Sequence, residues 1–185
     1  MVDRVAVVRL FVAIFPPEEA RADLQRRLTG PVRHGRRPGV RLTPVERWHI
    51  TLNFLGEVPE ARLPEVENAL AAVPRPGRFA LRLAGGGVFG KAGSNVLWSA
   101  VEGDLPALKD LHTGVRSALT THDLPHDGRP LMPHLTVAYA RSVELRAALA
   151  DYGGPTWTAE AFALVQSRFA DGGGYAHLCT WPLAS

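Results

Sequence analysis

Cysteine is nearly absent from this chain. With only Cys179 among 185 residues, no internal disulfide can form. A chain of this length buries roughly 70% of its unfolded surface and needs no covalent staple. The cysteine usage points to a reducing, cytoplasmic setting. Long apolar runs are missing too. No stretch approaches the roughly 20 residues that cross a bilayer, so no membrane partner is expected. The N-terminal run VAVVRLFVAIF is broken by Arg9 and followed by PPEEA, where a leader would carry a small-residue cleavage site. It reads as a buried strand. Lysine is scarce, with 2 lysines against 19 arginines for a formal net charge of +3. Acid is absent from residues 24–45, a window that holds Arg26, Arg27, Arg33, Arg36, Arg37 and Arg41. An acid-free, arginine-rich stretch suits a polyanion such as RNA. A solvated helix end and loop, enriched in arginine by coding bias, accounts for the same pattern.

Several chemical signatures are lacking. No histidine or cysteine falls in HExxH or CxxC spacing, so no metal site is expected. No G-x-S-x-G elbow marks a serine hydrolase. His34, His112, His122 and His126 lie in polar loops or on a helix, where solvation explains them, and His177 either points into a cleft or packs with Cys179. GGGVFG at 85–90 satisfies G-x-G-x-x-G formally, and Lys91 brings it near a P-loop. Position 92 is alanine, however, and a strand comes next instead of a helix, so neither phosphate-binding device is complete. The segment reads as a flexible connection, or as one that sets Phe89 and Lys91 at the border of a cleft where they touch RNA.

What is present is a repeated order of elements. Strands are expected at 9–15, 48–55, 78–84, 95–102, 134–140, 157–166 and 175–181. Helices are expected at 17–28, 60–73, 104–121 and 142–152, with loops at 29–46 and 122–133. Each half, approximately 1–90 and 91–185, runs strand, helix, loop, histidine strand, helix, strand. This predicts one α+β domain of two lobes related by a pseudo-twofold axis. Each lobe would be a small antiparallel sheet backed by helices, with the two histidine strands facing across a cleft.

Those strands carry WHITLNFLG at 48–56 and PHLTVAYA at 133–140. Side chains alternate along a strand, so His49, Thr51 and Asn53 share one face while Ile50, Leu52 and Phe54 share the other. Likewise His134, Thr136 and Ala138 oppose Leu135, Val137 and Tyr139. A lone H-x-T is a core histidine beside a β-forming threonine. Two copies 85 residues apart, in matching strands, point instead to phosphoryl chemistry. Histidine titrates near pH 6.5, so one ring can be the base and the other the acid, while threonine hydroxyls donate to phosphate oxygens. Trp48, Trp98, Tyr139, Trp157 and Trp181 lie in strands and read as core more often than as base-stacking platforms, with about one in five expected to contact a base.

The chain resembles the bacterial RNA 2′,3′-cyclic phosphodiesterases, also called 2′-5′ RNA ligases, of the 2H phosphoesterase superfamily. The resemblance runs through RLFVAIFPP at 9–17, WHITLNFLGE at 48–57, GGGVFG at 85–90, VLWSAV at 96–101, RPLMPHLTVA at 129–138 and the C-terminal segment ending at Leu183. It implies a bilobal α+β fold and hydrolysis of RNA 2′,3′-cyclic phosphate ends to 2′-phosphates, without cofactor or metal. It also implies 2′-5′ ligation as the reverse reaction. By resemblance His49 is the proton donor, His134 the proton acceptor, and Thr51 and Thr136 hold the phosphate oxygens. Many relatives place an arginine close behind the second motif; here Arg141 comes slightly later. Arg41, Phe89, Lys91 and Arg141 are the expected substrate-binding residues, and RNA the expected partner of a monomer. The alternatives are a 2H enzyme that opens a small cyclic nucleotide and a non-catalytic RNA-binding module.

Overall fold

The computed structural model describes residues 6–32, 40–91, 94–140, 146–168 and 174–185. Its strands are β1 (Val7–Ile14), β2 (Val40–Leu42), β3 (Ile50–Pro59), β4 (Phe79–Lys91), β5 (Ser94–Gly103), β6 (His134–Ala140), β7 (Gly153–Ala159), β8 (Ala161–Ser167) and β9 (Tyr175–Pro182). Its α-helices are α1 (Glu18–Val32), α2 (Leu63–Ala71), α3 (Leu105–Thr121) and α4 (Arg146–Leu149). The fold is α+β. All named strand pairs are antiparallel, in the order β7-β4-β5-β6-β3-β1-β8-β9, with β2 on the far part of β6.

The described strands make one sheet where two were expected. Its two flanks meet at the histidine strands, where Ile50 of β3 pairs with Leu135 of β6. Both residues are fully buried, so the junction is part of the core. The flanks also exchange strands. β4 leaves β3 to lie between β5 and β7, and β8 returns from the second half to lie between β1 and β9. α1 crosses in the same way to pack on β7 and β4, while α3 packs on β3.

β1 explains how one face of the sheet is kept for chemistry. Its Leu10, Val12 and Ile14 enter the main core under the helices. Phe11 and Ala13 join Ala163 and Val165 of β8 in a separate cluster on the opposite face, with Phe15 and Tyr175 packed against it. A strand buried on both faces reads as a continuous apolar run, which is how RLFVAIF looks in the sequence.

Two expectations fail here for local reasons. The glycine-rich segment is not a flexible connection; it is the second half of β4, paired with β5 from Gly86↔Ser99 to Lys91↔Ser94. A Cβ at Gly87 would lie 2.4 Å from the Trp98 indole, and one at Gly86 would lie 2.5 Å from the Trp98 carbonyl oxygen. The glycines therefore let an indole lie flat across the strand. The simple alternation in β3 fails as well. Leu55 and Leu52 are extra residues opposite β1, because Leu10↔Gly56 is followed by Phe11↔Phe54 and Val12↔Asn53 by Ala13↔Thr51. Each bulge reverses the face on which the next residues of the strand lie. Asn53 is consequently buried, and Phe54, expected under a helix, is exposed beside Phe11.

Candidate active site

Each histidine is oriented by the same device. His49 Nδ1 lies 2.7 Å from the Arg47 carbonyl oxygen, and His134 Nδ1 lies 2.7 Å from the Met132 carbonyl oxygen. A carbonyl oxygen only accepts, so Nδ1 carries the hydrogen in both rings. Nε2 is then the nitrogen that takes or gives a proton in each. The strand junction brings the two rings together. Around Ile50↔Leu135, an antiparallel register sets Thr51 beside His134 and His49 beside Thr136. Thr51 and His134 line one cleft of about 790 Å³, together with Phe54, Phe89, Arg129 and Met132. His134 also bears electrostatically on His49.

The surroundings of the two rings differ. His49 is enclosed by Phe11, Phe15 and Tyr175, with ring centroids 4.8, 5.7 and 5.4 Å away. Burial pushes its pKa down to about 4; the hydrogen bond to the Arg47 carbonyl opposes this, and the charges of His134 and His177 add to it. His134 stands edge-on to Phe89 at 5.1 Å and to Trp98 at 6.1 Å, and Phe89 stacks on Trp98 at 4.8 Å. Two imidazoles with outward Nε2 atoms and two hydroxyls at one junction can transfer two protons across a bound phosphate while hydrogen-bonding its oxygens.

Residues 14–98 match the family described as LigT-like phosphoesterase, a span that contains the first H-x-T. The RNA 2′,3′-cyclic phosphodiesterase of Thermus thermophilus is 37% identical over 169 residues, covering 87% of this chain and 82% of its own. The chain belongs to the LigT-like phosphoesterase family. A crystal structure of a Thermus thermophilus protein superimposes on this LigT-like phosphoesterase with a TM-score of 0.73 at 34% identity, covering 95% of this chain and 97% of that one. Escherichia coli LigT in its apo form gives 0.75 at 26% identity, covering 97% and 99%.

The structure of this LigT-like phosphoesterase brings His49, His134, Thr51, Thr136 and Phe89 to the strand junction or its edge. Arg41 is set apart from that cleft, in a second pocket with Arg47, Tyr139 and Tyr175. Arg141 lies outside the described residues, as do Arg33, Arg36, Arg37, His34 and the side chain of Lys91. Of the remaining arginines in the acid-free window, Arg26 pairs with Asp23 and Arg27 with Asp151, so acids from elsewhere match their charge.

Other residues take places that the sequence did not announce. His112 is buried and its Nδ1 bonds the Leu52 carbonyl at 2.9 Å, so it braces the bulge instead of meeting solvent. His177 packs on Phe15, with ring centroids 4.4 Å apart, and its charge reaches His49. Tyr139, expected in the core, is 44% exposed in the second pocket, and Trp98, also expected in the core, is partly buried and carries Phe89, which lines the larger cleft. Arg129 stands on the cleft wall, its guanidinium held by Asp127 at 2.6 Å. Its nearness to the second H-x-T in RPLMPHLTVA was an available signal. Phe11, Phe15 and Tyr175 carried none, because they reach His49 through β1 and β9. No helix among the described residues is long and apolar enough to cross a membrane.

Proposed function

We propose that the protein hydrolyses RNA 2′,3′-cyclic phosphate ends to 2′-phosphates by acid–base catalysis from two histidines. The observation that carries this reading is the twin tether of Nδ1 to the carbonyl two residues back, on strands that meet at Ile50↔Leu135. The activity named for the Thermus relative supports it.

His134 Nε2 takes a proton from water as the water oxygen attacks phosphorus. The bond from phosphorus to O3′ breaks, and His49 Nε2 gives its proton to O3′. The products are a 2′-phosphate and a 3′-hydroxyl. Thr51 and Thr136 donate to the non-bridging oxygens as charge develops. No step is assigned to a metal or cofactor. With a 5′-hydroxyl in place of water as the nucleophile, the same two proton transfers form the bond from phosphorus to O5′, break that to O3′ and leave a 2′-5′ link beside a 3′-hydroxyl. Burial leaves His49 neutral at pH 7 in the empty cleft. A phosphate anion bound beside it favours the charged form, so substrate itself arms the acid.

We further read the two flanks of the sheet as lobes of one duplicated domain related by a pseudo-twofold axis. The exchange of β4 and β8 between the flanks supports this. A monomer completes the site, since both histidines come from one chain, and the single cysteine accords with the cytoplasm.

The test is to incubate the purified protein, with chelator present, with a short RNA ending in a 2′,3′-cyclic phosphate and to identify the product isomer. A 2′-phosphate, lost in His49→Ala and His134→Ala, is the expected result. Binding without turnover would turn the reading to an RNA-binding module.

A further inference from the structure

The two histidines border different ground. Tyr175, edge-on to His49 at 5.4 Å, also walls a pocket of about 500 Å³ shared with Arg41, Arg47 and Tyr139. The larger cleft beside His134 has none of these four on its wall. Each pocket is thus reached from one histidine.

The smaller pocket is held in shape by several contacts. Arg41 on β2 is the register partner of Tyr139 on β6, and its guanidinium lies over the Tyr139 ring, 4.9 Å from the centroid. Buried Trp48 donates its indole N–H to the Thr43 carbonyl at 3.0 Å and so fixes the segment that carries Arg47. Arg47 in turn offers its carbonyl to His49 Nδ1, tying the pocket to the imidazole. Gly174 has φ +72°, and a Cβ there would come within 3.1 Å of the Arg47 guanidinium. The volume falls in the range of about 300–1,000 Å³ that holds small ligands.

Phosphoryl displacement keeps the attacking and leaving oxygens roughly in line through phosphorus. With water activated at His134 and O3′ protonated at His49, the ribose that retains O3′ lies on the His49 side. The RNA strand continues from that ribose through its 5′ oxygen. We infer that the pocket of Arg41, Arg47, Tyr139 and Tyr175 binds the strand that carries the cyclic phosphate, with the arginines on the phosphate 5′ of the terminal nucleoside and the tyrosine rings against a base. The inference rests on the two-histidine reading above. Guanidinium forks match phosphate oxygens, and aromatic rings accept any base by stacking. The favoured substrate is therefore a nucleotide or strand with a 5′-side phosphate, ahead of a bare cyclic nucleoside.

The experiment measures kcat/KM on adenosine 2′,3′-cyclic phosphate, on its 5′-phosphorylated form and on a short RNA with the same terminus. The proteins are wild type, Arg41→Ala, Arg47→Ala and Arg129→Ala. Wild type should prefer the two substrates that carry the 5′-side phosphate. Arg41→Ala should cut that preference about tenfold, as expected for loss of a charge-assisted contact, and should flatten its salt dependence. Arg41 is exposed, so its removal does not threaten the fold. Arg47→Ala should act in the same direction. An equal loss on all three substrates, a preference that survives both variants, or a strand-dependent loss in Arg129→Ala instead, would overturn the inference. If wild type opens none of the three, the two-histidine reading fails, and this inference with it.

Discussion

The two H-x-T strands share a local design and differ in what encloses them. In each, a carbonyl two residues back fixes Nδ1–H and turns Nε2 outward. On β3 the ring is then shut in by Phe11, Phe15 and Tyr175, and its charged form is disfavoured. On β6 the ring stands at the edge of the larger cleft, against a Phe89–Trp98 stack that rests on glycines. Under the proposed mechanism, one backbone device would serve two proton-transfer roles, assigned by the surrounding side chains. A ring that sheds its proton easily is a strong acid once substrate charges it; a ring open to a water-sized approach suits a base.

The sharpest way to break this comparison is to remove each ring. His49→Ala and His134→Ala should each lower kcat on a cyclic phosphate RNA by roughly 10²–10⁴-fold, the usual worth of a general acid or base. Single-turnover rates would show it. Full activity of His134→Ala would sink the scheme.

The roles separate when the leaving group needs no proton. On bis(4-nitrophenyl) phosphate, His49→Ala should recover most of its deficit relative to wild type, by roughly 10²-fold, while His134→Ala should not. Equal recovery would mean that the roles are not divided as the surroundings suggest.

The enclosure of His49 also has a stability signature. Its folded value of about 4 lies below the 6.5 of an unfolded histidine, so the unfolded chain binds more protons between these values. Stability is then complete above pH 6.5 and is lost as pH falls towards 4, by about 3 kcal/mol at most. Urea unfolding of wild type and His49→Gln across that window checks the sign. The variant should lack this part of the slope.

On the other strand, Gly87→Ala tests the support beneath His134. The added Cβ would sit 2.4 Å from the Trp98 indole, and overpacking of this kind costs about 1–3 kcal/mol. The melting temperature should fall and kcat drop with it as Phe89 is displaced. A loss of stability alone would separate the stack from catalysis.

The sequence showed most strands, the longer helices and the paired H-x-T plainly, because each rests on residues close together in the chain. By contrast, β2 lies in an expected loop, the one strand expected at 157–166 is two, β7 and β8, and, among the described residues, α4 covers only four of the helix expected at 142–152. It hid what depends on partners across the sheet. The glycines of β4 read as a loop because their reason is the Trp98 indole on the next strand. Tyr139 read as core by alternation, but Val137 is an extra residue opposite β5, between Leu97↔Ala138 and Trp98↔Thr136, and this bulge turns Tyr139 out to meet Arg41 of β2. His112 read as solvated because nothing in α3 announces a bulge in β3.

Asn53 is the residue where sequence pattern and structure part most clearly. Strict alternation sets it beside His49 and Thr51, as a cleft residue. It does line the larger cleft, but the bulge at Leu52 buries it in the wall, at 3% exposure, with neither amide atom hydrogen-bonded to a described residue. A buried amide without partners costs about 1–3 kcal/mol, and replacement by an apolar group of the same shape relieves that cost. Asn53→Leu should therefore raise stability by about 1 kcal/mol with little change in turnover. Its effect is small, but its sign is informative. A stabilised, active variant makes the amide a passive part of the cleft wall, leaving the cleft chemistry to His49 and Thr51. A stable variant with turnover lost would make Asn53 a working part of the cleft and the bulge a device for catalysis, with His112 as its brace.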